Sequence, residues 1–234
     1  MQYKSYIMDF KEAFKTRFGE SSGSRTGAGS GAENGKPDYY LTPSSKVYTN
    51  PNGTGKKFVV SDESVSKNII GTDENGNPII SFDNLDAYML PDESTWDDII
   101  KDILNKIGPY NKLEDGSAYG VDENGNIIYS YGGQGEKDKY GRSNVSKAVE
   151  KAVNEIIASG SIDYSTIYIH SHPHPKTGYS QNLTNPDDFD AVTKLNIRGG
   201  MMITEASVFF FNSTRGVFMQ FKNSDINDFI RGKK

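Results

Sequence analysis

The run "SNVSKAVEKAVNEIIASGSIDYSTIYIH" (143–170) changes its period in mid-course, and that change limits the folds open to the chain. In its first part Val145, Val149, Ala152, Val153, Ile156 and Ile157 recur on one face at helical spacing. Ser143 stands where a helix cap belongs. "STIYIH" then reads as a short buried strand ending at His170. A one-faced helix feeding a buried strand calls for a sheet covered by helices.

The flanking segments fit that frame. "DESTWDDIIKDILNKIG" predicts a helix over 94–107, with Trp96, Ile99, Ile100, Ile103, Leu104 and Ile107 on one face. Ser94 is placed to cap it, with Asp97 three residues on, and Gly108 to end it. "NPDDFDAVTKL" reads as a helix start, with Asn185 as cap, Pro186 at the first position and acids in the first turn. "KKFVV", "PIISF", "GMMIT", "SVFFFN" and "GVFMQF" read as strands, the last two joined by "STRG". "GTDENGNPIISF" (71–82) and "GVDENGNIIYSY" (120–131) share an Asp…Asn-Gly pattern between apolar runs, a hairpin signal. Both lack the further ligand spacing of an EF-hand, so they read as turns. The expected class is α+β, with a mixed, mostly antiparallel sheet flanked by helices.

Residues 1–20 can form an amphipathic helix with Ile7, Phe10, Phe14 and Phe18 near one face. The Gly/Ser-rich stretch after it cannot build a core and reads as a linker. The expected organisation is 1–38 as helix and linker, 39–90 as an extension with a strand hairpin, and 91–234 as the main domain. The N-terminus has scattered charges and no apolar core of a signal peptide, and no apolar run reaches transmembrane length. With a net charge of −5, no broad nucleic-acid or membrane-binding surface is expected.

The chain has no cysteine, which removes disulfides, thiolate nucleophiles and cysteine zinc sites. Any metal must be held by histidine and carboxylate. The three histidines are His170, His172 and His174, one every second residue. Strand alternation puts His170 and His172 on one side, so two imidazoles at a strand end can converge on an ion. The nearest downstream acids are Asp187, Asp188 and Asp190, at the expected helix start. The plainer alternative is that Asp188 caps its own helix and the histidines lie in a loop.

Strand–His170-Ser171-His172-Pro173, followed by "TNPDDF" at a helix start, resembles the JAMM motif of JAB/MPN+ zinc metallopeptidases. The resemblance covers roughly 90–221 and leaves the first ninety residues unexplained. It implies a JAB/MPN-like fold with cytidine-deaminase-like layering, and a Zn²⁺ ion held by His170, His172 and Asp188. Phe189 stands where the family has an apolar residue after its aspartate. The resemblance also implies a general base on an earlier strand. Glu114 in "NKLEDGSAYGV" fits, with Glu123 and Glu136 as competitors. Asn185 takes the place of the family's oxyanion serine, with Thr184 as the other candidate; Asn185 equally suits a helix cap. Fifteen residues (173–187) separate His172 from Asp188, more than the family usually has. His174 reads as an exposed loop residue.

The activity implied is hydrolysis of a peptide or isopeptide bond in a protein or peptide substrate, including ubiquitin-like modifiers. The alternative is a non-catalytic JAB-like binding or scaffold module, in the manner of JAB-like domains of secreted, toxin or phage-associated proteins. Histidine-triad nucleotide hydrolases fit less well. Their motif wants apolar residues where Ser171 and Pro173 stand, and no phosphate-gripping glycine loop is evident.

Overall fold

A computed structural model describes residues 36–108, 111–139, 143–161, 165–172, 186–214 and 216–234. The expected N-terminal helix and most of the linker lie outside these residues. The chain begins with strands β1 (Asp38–Leu41), β2 (Val47–Asn50) and β3 (Lys57–Val60), then helix α1 (Asp62–Lys67). Strands β4 (Ile69–Thr72), β5 (Pro78–Ile80) and β6 (Ala87–Met89) lead to helix α2 (Glu93–Asp102). Strands β7 (Asp115–Val121), β8 (Ile127–Gln134), β9 (Glu136–Lys137) and β10 (Ser143–Asn144) precede helix α3 (Ser146–Ala158). Strand β11 (Ile167–Ser171), helix α4 (Pro186–Leu195), strands β12 (Gly199–Ile203), β13 (Ser207–Asn212) and β14 (Gly216–Lys222), and helix α5 (Asn223–Ile230) complete it.

The fold is mixed α+β with mostly antiparallel sheets. The main sheet has the order β14-β13-β12-β11-β7-β8. Its pairs are antiparallel except β11 with β12. A second sheet has the order β2-β1-β3-β6, and β4–β5 form a separate hairpin. Among the described residues, no helix is long and apolar enough to cross a membrane.

Strand alternation divides the main sheet between two cores. Ile167 and Ile169 of β11 join Trp96, Ile99 and Ile103 of the α2 segment and Phe229 of α5. Tyr168 joins Val149, Ala152 and Val153 of α3 and Val192 of α4 on the other face. Leu41, Val59, Tyr88 and Leu90, from the expected extension, pack into the first core with Trp96. Gly116 on β7 lets α3 approach, since a Cβ there would lie 2.9 Å from Val145 Cγ2.

The two Asp…Asn-Gly turns are built alike. Asp73 Oδ1 accepts from the N–H groups of Asn75 and Asn77, at 2.9 and 2.8 Å. Asp122 Oδ1 accepts from Asn124 and Asn126, both at 2.8 Å. Gly76 and Gly125 take positive φ of 82° and 80°, the left-handed conformation that the turn needs. Both carboxylates are occupied by their own turns.

Three local expectations need correction. The α2 cap is Asp92, whose Oδ1 accepts from Thr95 N–H at 2.8 Å; Ser94 instead donates to Asp92. The regular helix stops at Asp102 and only a 3₁₀ turn (Leu104–Lys106) continues it. Ser143 does not cap α3, which starts three residues later, because its hydroxyl accepts from Glu114 N–H at 2.9 Å. The chain also ends in α5, where the apolar signal of Ile226, Phe229 and Ile230 is brief.

These caps can be told apart. Asp92→Ala should cost about 1 kcal/mol in urea unfolding, the usual size of an N-cap loss, and Ser94→Ala clearly less.

Candidate metal centre

The candidate site forms where β11 ends, α4 begins and β7 begins. His170 and Tyr168 share one face of β11, and His172 continues it beyond the strand. His170 is 1% exposed and His172 9%. Their ring centroids are 5.2 Å apart. Asp188, in the first turn of α4, brings Oδ1 to 3.7 Å from His170 Nε2. One ligand atom from each of His170, His172 and Asp188 lies within 4.8 Å of the others.

These residues fit a metal ion. Neither ring nitrogen of His170 has a hydrogen-bond partner among the described residues. A buried polar group left so is costly. Burial also lowers its pKa to about 4, which keeps the ring neutral, the form that binds metal. Two imidazoles and a carboxylate make a donor set suited to zinc and its neighbours among the transition metals. The three residues can hold a metal ion.

Glu114 immediately precedes β7. Its N–H is held by Ser143 Oγ and its carbonyl accepts from Gly135 N–H at 2.7 Å. The next N–H, of Asp115, donates to Ser171 Oγ at 2.8 Å. Two serine hydroxyls therefore fix the backbone where the β7–β11 ladder ends at His170↔Gly116. The Glu114 carboxyl is half-buried, and its pKa is pushed up to about 8 by burial and by the charge of Asp188. The competing acids differ. Glu123 is exposed in its turn, and Glu136 is exposed and paired with Lys147 at 3.1 Å.

Of the downstream acids, Asp188 joins the histidines and Asp190 is exposed. The side chain of Asp187 is outside the described set, as are Thr184, Asn185 and His174. Tyr168 was not singled out by its residue type. Its hydroxyl donates to the Asp188 carbonyl at 2.9 Å, and its ring stacks on His170 with centroids 5.6 Å apart. Strand parity was the available signal, since Tyr168 lies two residues before His170.

No protein-family model, curated protein or solved structure matches this chain.

Metal titration followed by calorimetry should show uptake of a divalent transition metal. His172→Ala and Asp188→Asn should each abolish it, and His174→Ala should leave it intact. The metal-free chain should also show opposed pH effects. Glu114 is ordinarily near 4.5 and is raised to about 8, so its stability contribution is full below the lower value and lost as pH rises through the upper. His170, ordinarily near 6.5, contributes fully above that value and loses its contribution as pH falls toward about 4. Glu114→Gln should accordingly raise the metal-free Tm at about pH 9 relative to its effect at about pH 4, read by scanning calorimetry.

Proposed function

We propose that this chain is a zinc-dependent peptidase or isopeptidase of the JAMM type, with a JAB/MPN-like main domain. The observation that carries the reading is the convergence of His170, His172 and Asp188 beside the raised acid Glu114. His170, His172 and Asp188 would hold the ion. Bound there, zinc supplies Lewis acidity, polarising a carbonyl, lowering the pKa of water toward neutrality and favouring the carboxylate form of the neighbouring Glu114.

Glu114 accepts the proton of the attacking water and returns it to the leaving amine. Its backbone is clamped by Ser143 and Gly135, so the carboxyl works from a fixed strand start. Its half-buried setting suits a group that must exchange a proton near neutral pH. Asn185 or Thr184 would supply the hydrogen bond to the oxyanion. The substrate class is an amide in a protein or peptide, including an isopeptide to a ubiquitin-like modifier.

Glu114→Gln tests the chemistry. It should keep zinc, measured by elemental analysis, and lower hydrolysis of peptide and isopeptide substrates by ~10²–10⁴-fold. Zinc uptake with no hydrolysis by the unaltered chain across such a panel would instead make it a non-catalytic JAB-like binding module.

A further inference from the structure

We propose that Tyr168 is a positioning residue for the metal ligands, its hydroxyl holding the Asp188 end of α4 against the His170 ring on which its own ring stacks. The inference rests on the metal centre described above. Tyr168 is 2% exposed; it lies on β11, which carries His170, and its hydroxyl reaches α4, which carries Asp188.

A histidine that binds metal usually donates its second ring N–H to a carboxylate or carbonyl, and that bond fixes the ring. His170 has no such partner among the described residues. Aromatic rings pack against it. The Tyr168 ring lies nearly parallel to it, at 24°, and Phe211 stands edge-on at 6.0 Å. The same Tyr168 reaches the backbone of a second ligand, donating to the Asp188 carbonyl at 2.9 Å. One side chain therefore touches His170 and the peptide of Asp188.

That contact joins two ligands that are distant in sequence. Fifteen residues separate His172 from Asp188. Ligand distances tolerate errors of only about 0.2 Å. A phenol bonded to the Asp188 carbonyl fixes the peptide from which the carboxylate extends.

The fold supplies a matched control. Tyr119 is 1% exposed and its hydroxyl donates to the Met89 carbonyl, also at 2.9 Å. It belongs to the opposite core, with Trp96. Tyr168→Phe and Tyr119→Phe thus each remove one buried phenol–carbonyl bond and keep the ring.

The experiment measures Zn²⁺ affinity by competition with a chromophoric chelator, and the visible spectrum of the Co²⁺-loaded chain, for both variants. Metal-free melting temperatures establish that each variant folds. Tyr168→Phe should raise the zinc Kd about 10-fold or more, the usual size of an outer-shell loss, and should shift the Co²⁺ bands. Tyr119→Phe should leave Kd and spectrum unchanged even as its melting temperature falls. Unchanged affinity and spectrum in Tyr168→Phe, or equal changes in Tyr119→Phe, would overturn the positioning role alone. Failure of the unaltered chain to take up either metal would overturn the metal centre and this role with it.

Discussion

All five residues of β11 are buried, yet they point alternately into two different cores. Its register against β7 and β12 therefore decides which core receives the histidines. A slip of one residue would turn Ile167 and Ile169 toward α3, and Tyr168 and His170 toward Trp96. The apolar content of both faces makes that slip costly, since it would bury imidazole among the first core's aliphatic side chains. The same register places the acid. β7 runs antiparallel to β11 and their ladder ends at His170↔Gly116, so Glu114, just before β7, lies at the end of β11 where His172 follows. Ser171 and Ser143 take over there from ladder hydrogen bonds, and the strand start stays fixed.

Burial shifts two groups of this corner in opposite senses of charge, both toward the neutral form. His170 resists protonation and Glu114 resists ionisation. Their favourable pH ranges lie on opposite sides, His170 above about 6.5 and Glu114 below about 4.5, so no single pH relaxes both. A buried apolar pair of similar volume would carry no such penalty. A bound cation would relieve both groups, since it would accept the neutral imidazole and stabilise the nearby carboxylate. Perturbed groups that share one remedy are a stronger functional signal than either shift alone.

Much of the scaffold was legible in the sequence. The helices α2 (Glu93–Asp102) and α3 (Ser146–Ala158) and the strand ending beside His170 are visible from period, though not their exact ends, as are the paired Asp…Asn-Gly turns. Caps are ambiguous in the sequence because several polar residues stand near each helix start. Asp92 lies two residues before Ser94, and only the bond to Thr95 distinguishes them. Ser143 looked like a cap, but a contact 29 residues back in sequence claims its hydroxyl. The cluster that can hold a metal is readable as a pattern because all three residues fall within one strand–helix unit. Ser143, whose hydroxyl is claimed by a tertiary contact, carries no local signature, and strand parity is the one local signal for Tyr168.

The parallel pair β11–β12 explains why the site falls where it does. Parallel strands cannot be joined by a tight hairpin; the chain must cross back over the sheet, and α4 is the helix in that crossing. Such a crossing brings the end of the first strand and the start of its helix to the same edge of the sheet, where ligands of α/β units bind. His170 and His172 lie at that strand end, and Asp188 in the first turn of that helix. β7 runs antiparallel to β11, so its beginning meets the same edge and brings Glu114 there. Had β12 followed β11 as an antiparallel hairpin, no helix would start beside the histidines and Asp188 would have no rigid support there. The one parallel step in an otherwise antiparallel sheet gathers four chemically capable residues from three elements onto one edge.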